Sequence, residues 1–167
     1  HAGADAGTRA ALARVGRDLG TAFQIQDDLL DLGGSEEVVG KSVHKDLEKG
    51  KLTLPVIHHL RAADAGTRAS TLALLEEASG LGGGSGREWG RDLRGAERPA
   101  RAPDTARVEE LSRRLGAAIR ATGSVEAATR TARGLVEGAL REIGTLPESG
   151  ARRVLEGAAR AVIDRSY

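Results

Sequence analysis

Residues 8–32 of this sequence read TRAALARVGRDLGTAFQIQDDLLDL, and this stretch decides the fold class. Five apolar residues within it recur at intervals of three, four or seven, which is typical of one face of an α-helix. They are Leu12, Val15, Leu19, Phe23 and Leu30. The glycines at positions 33 and 34 are typical of a helix end. We therefore predict a helix over 8–32 that buries this stripe.

The rest of the chain repeats the helical spacing and shows no useful strand alternation. We predict further helices over 53–63, 66–79, 104–122, 125–143 and 147–165. Thr53 is placed to cap the first of these, and Pro55 is tolerated in a first turn. The last should bury Val154, Leu155, Ala158 and Val162. The predicted fold class is all-α, in one domain spanning 1–167.

Two segments break the helical pattern. Residues 35–52 are polar, with glycines at 40 and 50, and we interpret them as a structured loop. Residues 80–103 are rich in Gly, Arg and Pro and contain the only tryptophan, Trp89. Too little apolar surface is present in 80–103 to offset the entropy of ordering the chain. We interpret 80–103 as a flexible insertion.

The composition excludes several classes of function. The 167 residues carry 25 Lys plus Arg against 24 Asp plus Glu, so no global attraction to nucleic acid or anionic lipid is expected. Cysteine is absent, which removes disulfides, thiolate metal sites and cysteine nucleophiles. No apolar run approaches the roughly 20 residues that cross a bilayer, and no signal-peptide pattern is seen. We expect a cytoplasmic protein.

Acidic residues cluster near the end of the first predicted helix. Gln24, Asp27, Asp28 and Asp31 fall within a sector about 100° wide. Carboxylates one turn apart repel each other, and a helix C-terminus disfavours negative charge, so the array needs a cation. Hard divalent cations such as Mg²⁺ take oxygen ligands, including substrate phosphates. The alternative is a solvated acidic patch, and the residues that follow favour the metal site.

All four lysines of the chain lie within eleven positions, 41–51. Lys41 and Lys51 each follow a glycine, where the backbone can approach a ligand closely and the ammonium group can reach it. Together with a metal on the carboxylates, they could hold the two halves of a diphosphate. A solvated polar loop is the alternative, and we prefer it for Lys45 and Lys49.

These residues carry a family resemblance. The run FQIQDDLLD at 23–31, followed by Gly40-Lys41, Asp46-Leu47 and GKLTLP at 50–55, closely resembles the second aspartate-rich motif and following loop of trans-type polyprenyl diphosphate synthases. The segment LPES at 146–149, before the last predicted helix, is similar to the end of that family. The resemblance implies an isoprenoid synthase-type helical bundle.

The resemblance also implies a function. The family consists of prenyltransferases of isoprenoid biosynthesis, usually homodimers, that join isopentenyl diphosphate to an allylic diphosphate. By the resemblance, Asp27 is a direct Mg²⁺ ligand, and Asp28 and Asp31 complete the metal site directly or through water. Gln24 faces the reacting allylic centre, and Lys41 and Lys51 bind the allylic diphosphate.

The sequence also departs from the family pattern. A first aspartate-rich motif, an upstream basic cluster and a Lys-Thr pair ahead of the second motif are not found, and His44 stands where the family more often has glycine. We therefore interpret the chain as the C-terminal part of a longer synthase and expect no turnover from it alone. Product chain length is not predicted.

Two other functions remain open from sequence. The first is a non-catalytic or regulatory partner subunit that keeps one diphosphate-binding face of a heteromeric synthase. The second is nucleic-acid binding through five arginines of the insertion, which we disfavour because three acidic residues lie among them and Trp89 alone could stack on bases. Those arginines are Arg87, Arg91, Arg94, Arg98 and Arg101.

Overall fold

The structure is a computed structural model that describes residues 3–33, 52–81 and 105–164. Its elements over those residues are six helices, which we number in chain order, and the all-α prediction is confirmed. They are α1 (Ala6–Gly33), α2 (Leu54–Ala62), α3 (Ala65–Leu81), α4 (Thr105–Ala121), α5 (Ser124–Gly144) and α6 (Gly150–Ala161). The lysines of 41–51 and the greater part of the predicted insertion, 82–103, lie outside the described residues.

The helix boundaries follow local chemistry, and α6 departs most from the prediction. It begins at Gly150 rather than at 147, because the Ser149 side chain accepts a hydrogen bond from the Arg152 N–H (3.1 Å) and so acts as the N-cap. Thr53 stands at the N-cap of α2 as predicted, but its side chain makes no capping hydrogen bond. Pro55 lies in the first turn of α2, which is the predicted position.

The same seven residues, ADAGTRA, begin both α1 and α3, at 4–10 and 63–69. Asp64 accepts hydrogen bonds from the Thr67 N–H (2.9 Å) and the Thr67 hydroxyl (2.7 Å). Asp5 accepts the same two bonds from Thr8, at 3.0 and 2.6 Å. The threonine bonds lower the pKa of both aspartates below its ordinary value. Identical local sequence thus produces the same helix cap twice.

The chain divides into two units, and the first comprises His1–Leu30 and Val125–Tyr167. One cluster of its core is formed by one valine, one isoleucine and two alanines, with leucines packed against them. The buried set is Val15, Ala139, Ile143 and Ala159, and the partly buried leucines are Leu19, Leu140 and Leu155. The small residues Ala139 on α5 and Ala159 on α6 pack in this cluster with Val15 of α1, and no aromatic residue takes part in it among the described residues.

The second unit is Asp31–Ser124, in which α2, α3 and α4 pack on one another. Leu111, Leu115 and Ile119 of α4 are buried, as their spacing predicts. An arginine of α3 binds the end of α2. The Arg68 guanidinium donates to the carbonyl oxygens of Leu60 (2.7 Å) and Ala63 (2.9 Å), and thereby caps the end of α2.

The predicted apolar stripe of α1 is partly wrong. Leu12 and Phe23 are 40% and 42% exposed, whereas the buried side chains include Ala22, Ile25 and Leu29. These lie about 170° around the helix from Asp27 and Asp31, on nearly the opposite face. The prediction left out Ala22, Ile25 and Leu29, although their spacing of three and four residues also defines one face of a helix.

The predicted stripe of the last helix is also wrong in part. Val154 is 73% exposed and Ala158 is exposed, while Ala159 is fully buried and Leu155 is half-buried. Val162 is half-buried, just beyond the end of α6. The buried face thus includes Ala159 in place of Ala158, because a helix of twelve residues offers too few apolar positions to define its orientation. Across the part of the chain that the structure describes, no helix is long and apolar enough to cross a membrane.

Candidate functional site

The last three turns of α1 carry the four residues that the sequence singles out on this helix. Asp27 and Gln24 are exposed, Asp31 is half-buried and Asp28 is buried, with 7% of its surface accessible. The helix runs unbroken to Gly33, so Asp27 and Asp31 stand one turn apart on one side of it. Of the predicted site residues, the described structure therefore brings these four together, whereas Lys41 and Lys51 lie outside the described residues.

Gln24 and Asp28 are joined by a hydrogen bond. The Gln24 amide nitrogen Nε2 donates to the Asp28 oxygen Oδ1 at 3.0 Å. Because an ionised carboxylate can only accept hydrogen bonds, the amide nitrogen must face Asp28 and the amide oxygen must point elsewhere. Their spacing of four residues is a known signal for such a pair on a helix, so sequence could have predicted this bond.

Magnesium is the metal that the resemblance implies, and the donors can be tested against it. The three carboxylates are hard oxygen ligands, which is the chemistry that Mg²⁺ requires. Within 3–33, 52–81 and 105–164, no three His, Asp or Glu side chains form a ready-made metal cage. Magnesium is commonly held by one or two carboxylates, with water and substrate phosphate completing the shell. The donor set fits that partial mode of binding, with the exposed Asp27 as its most accessible ligand.

Arg120 lies at the acidic end of α1 and was not singled out from sequence. Its guanidinium nitrogen Nη1 donates to the carbonyl oxygen of Leu32 at 3.3 Å. The last turn of α1 contains no basic residue of its own, so α4 supplies the cation that a helix C-terminus favours. Sequence shows Arg120 only as a basic residue near a predicted helix end, which does not indicate what it contacts.

A buried histidine was also missed. His59 is fully buried, and both of its ring nitrogens are hydrogen-bonded: Nδ1 to the Thr122 hydroxyl (3.0 Å) and Nε2 to the Thr71 hydroxyl (2.8 Å). Burial lowers the pKa of His59, and the neighbouring His58 lowers it further. The His58 ring in turn lies 2.9 Å from the Ser124 hydroxyl. This network joins α2 to α3 and to the α4–α5 turn, which indicates a structural role.

Comparison with known proteins gives matches that include the aspartate-rich segment of α1. The family model described as polyprenyl synthetase matches residues 1–80. An octaprenyl diphosphate synthase of Haemophilus influenzae is 45% identical over 73 residues, covering 44% of this chain and 21% of the relative. A geranylfarnesyl diphosphate synthase of Natronomonas pharaonis is 32% identical over 167 residues, covering 99% of this chain and 39% of the relative.

The fold matches solved structures as well. The geranylgeranyl pyrophosphate synthetase of Pyrococcus horikoshii superposes with a TM-score of 0.68 and 28% identity, over 94% of this chain and 39% of that one. The chain thus spans about two-fifths, or less, of the length of the relatives that it matches. These matches extend the likeness beyond residues 1–80 into the helices that follow.

Proposed function

Since the chain belongs to the polyprenyl synthetase family, we infer that its site takes part in a magnesium-dependent transfer of a prenyl group. The proposed reaction condenses isopentenyl diphosphate with an allylic diphosphate to give a longer polyprenyl diphosphate. The observation that carries the proposal is the carboxylate array at the end of α1, inside the segment that matches the family.

In this proposal Asp27 and Asp31 hold the metal from one side of α1, and Asp28, held by Gln24, supports them or binds through water. Bound magnesium would neutralise the diphosphate as it leaves the allylic carbon. Lys41 and Lys51 are proposed to bind the same diphosphate from 34–51, the segment after α1, because ammonium groups suit phosphate oxygens. The face of α1 that carries Asp27 points away from its buried face, which leaves that carboxylate accessible.

The electrostatics of the site favour this chemistry. Three aspartates near the C-terminus of one helix create a negative potential that is suited to a cation. The lysines of the following segment are suited to an anion instead. A magnesium diphosphate carries both charges, so its metal suits the aspartates and its phosphates suit the lysines.

Binding rather than turnover tests the proposal on this chain, because it spans only about two-fifths of its relatives. Calorimetric titration with a non-reactive allylic thiolodiphosphate should show binding with Mg²⁺ and little or none with EDTA. Asp27→Ala should weaken this binding at least tenfold, since it removes the proposed direct ligand. Asp18→Asn is the matched control, an aspartate of the same helix outside the predicted site.

The lysines provide a second comparison. Lys41→Gln and Lys51→Gln should each weaken thiolodiphosphate binding, whereas Lys45→Gln and Lys49→Gln should not, although all four remove one positive charge. Equal losses in all four variants would mean that the segment acts only through its net charge. Binding that persists unchanged in Asp27→Ala and Lys41→Ala would contradict the site assignment.

The assembly and location belong to the same proposal. A homodimer and a cytoplasmic location rest on the family resemblance and on composition. The relatives named above carry octaprenyl, geranylfarnesyl and geranylgeranyl products in their names, so we propose no product length for this chain.

A further inference from the structure

Arg120 lies where the acidic end of α1 meets α4. Its Nη1 donates to the Leu32 carbonyl oxygen at 3.3 Å, one residue beyond Asp31. Leu32 lies in the last turn of α1. A charged donor at this position fixes the final turn more strongly than water would.

The local structure of α4 is built to hold this arginine in place. Gly116, one turn before Arg120, has no side chain, and the guanidinium lies over it. A Cβ atom added at Gly116 would stand 3.3 Å from Nη1, 3.5 Å from Nη2 and 3.7 Å from Cζ of Arg120. Gly116 therefore provides the space through which Arg120 reaches Leu32.

We propose that Arg120 is a positioning residue of the aspartate-rich site, and this rests on the proposed function. By holding the Leu32 carbonyl it fixes the last turn of α1, and with it the orientation of Asp31. Arg120 also supplies a positive charge at a helix end that carries three aspartates and no basic residue. Its effect on ligand binding is indirect, through Asp31.

The closing experiment compares three variants with one control. Arg120→Met removes the charge and the donors, Arg120→Lys keeps both, and Gly116→Ala keeps Arg120 but places a methyl group in tight contact with its guanidinium, 3.3 Å from Nη1. Arg114→Gln is the control, because Arg114 is exposed on a different face of α4. Each protein is titrated with inorganic diphosphate and Mg²⁺, unfolded in urea, and followed by amide hydrogen exchange at residues 31–33.

We expect Arg120→Met to weaken magnesium-diphosphate binding about tenfold, in the range seen when residues behind metal ligands are removed. Exchange at residues 31–33 should quicken, and Arg120→Lys should recover most of both losses. Gly116→Ala should weaken binding by a few fold while the urea midpoint stays equal or rises, because alanine is the better helix former. Loss of affinity without loss of stability is a result that a purely structural role would not produce.

Three results would overturn the inference. In the first, Arg120→Met binds magnesium diphosphate as tightly as the unchanged chain, whether or not exchange quickens, which would limit Arg120 to helix capping. In the second, Arg114→Gln weakens binding as much as Arg120→Met, which would reduce the effect to net charge. In the third, the unchanged chain binds no magnesium diphosphate, so that the proposed function fails and this inference falls with it.

Discussion

The Arg14 guanidinium binds the Glu142 carboxylate through two parallel hydrogen bonds, Nε to Oε1 at 3.1 Å and Nη2 to Oε2 at 2.9 Å. The pair joins α1 to α5 within the first unit, next to the cluster around Ile143. Bidentate geometry of this kind specifies direction as well as charge. The Arg14 bond holds the pKa of Glu142 below its ordinary value.

The first prediction is that Glu142→Gln destabilises the chain at pH 7 but not in acid. Because the pKa of Glu142 is lowered by folding, the pair stabilises the fold above the ordinary glutamate value of 4.5 and loses this effect as the pH falls through the folded pKa. The two side chains are 48% and 33% exposed, so 0.5 M salt should shrink the difference. Urea unfolding of both proteins at pH 7 and pH 2 measures it.

Glu137→Gln serves as the control for this pair. Glu137 is exposed on α5, the helix that carries Glu142, and the substitution changes net charge equally. An equal loss of stability in Glu137→Gln and Glu142→Gln would attribute the effect to overall charge and contradict a specific Arg14 contact.

The second prediction concerns the buried His59, whose neutral ring is favoured by the fold. Burial lowers its pKa, so the unfolded chain takes up a proton at higher pH than the folded chain does. Stability should therefore fall as the pH drops below the ordinary histidine value of 6.5, by at most about 1.4 kcal/mol per pH unit. Urea unfolding between pH 7.5 and 5 should show this slope.

His59→Gln should flatten this slope, because it removes the ring whose pKa the fold lowers. At pH 7.5, Thr71→Val should cost about 1–2 kcal/mol, because it leaves the His59 nitrogen Nε2 without its hydrogen-bond partner. A slope unchanged in His59→Gln would assign the acid sensitivity to another group.

The third prediction tests the corrected faces of the helices. Ile143 is fully buried in the cluster shared by α1, α5 and α6, so Ile143→Ala should cost about 2–5 kcal/mol through lost burial and a residual cavity. Val154 is 73% exposed, so Val154→Ala should change the free energy of unfolding by less than about 0.5 kcal/mol. Comparable losses in the two variants would restore Val154 to the core that the sequence predicts.

Helix locations were predictable because they depend on local chemistry. The turn at Gly123, where φ is +64°, and the start of α2 near Pro55 each arise from backbone preferences of residues close by. The two copies of ADAGTRA show the same dependence, since each begins a helix with an aspartate cap. The family resemblance also came from a continuous run, residues 23–55, and needed no tertiary information.

The candidate site was predictable only as far as one helix extends. Gln24, Asp27, Asp28 and Asp31 share a turn spacing that sequence displays directly, and even the Gln24–Asp28 bond follows from it. The reach of Arg120 to Leu32 spans 88 positions and depends on how α4 packs and on the space above Gly116. No local pattern encodes that distance.

The sequence by itself determined the helical class, most helix ends, the aspartate array and the family. Tertiary structure alone decided which face of each helix is buried: Ala22, Ile25 and Leu29 rather than Leu12 and Phe23. The physical reason is that helix formation is satisfied by hydrogen bonds four residues apart, whereas burial depends on the shape and size of the neighbouring helices. A small alanine can face a tightly packed neighbour where a larger phenylalanine cannot.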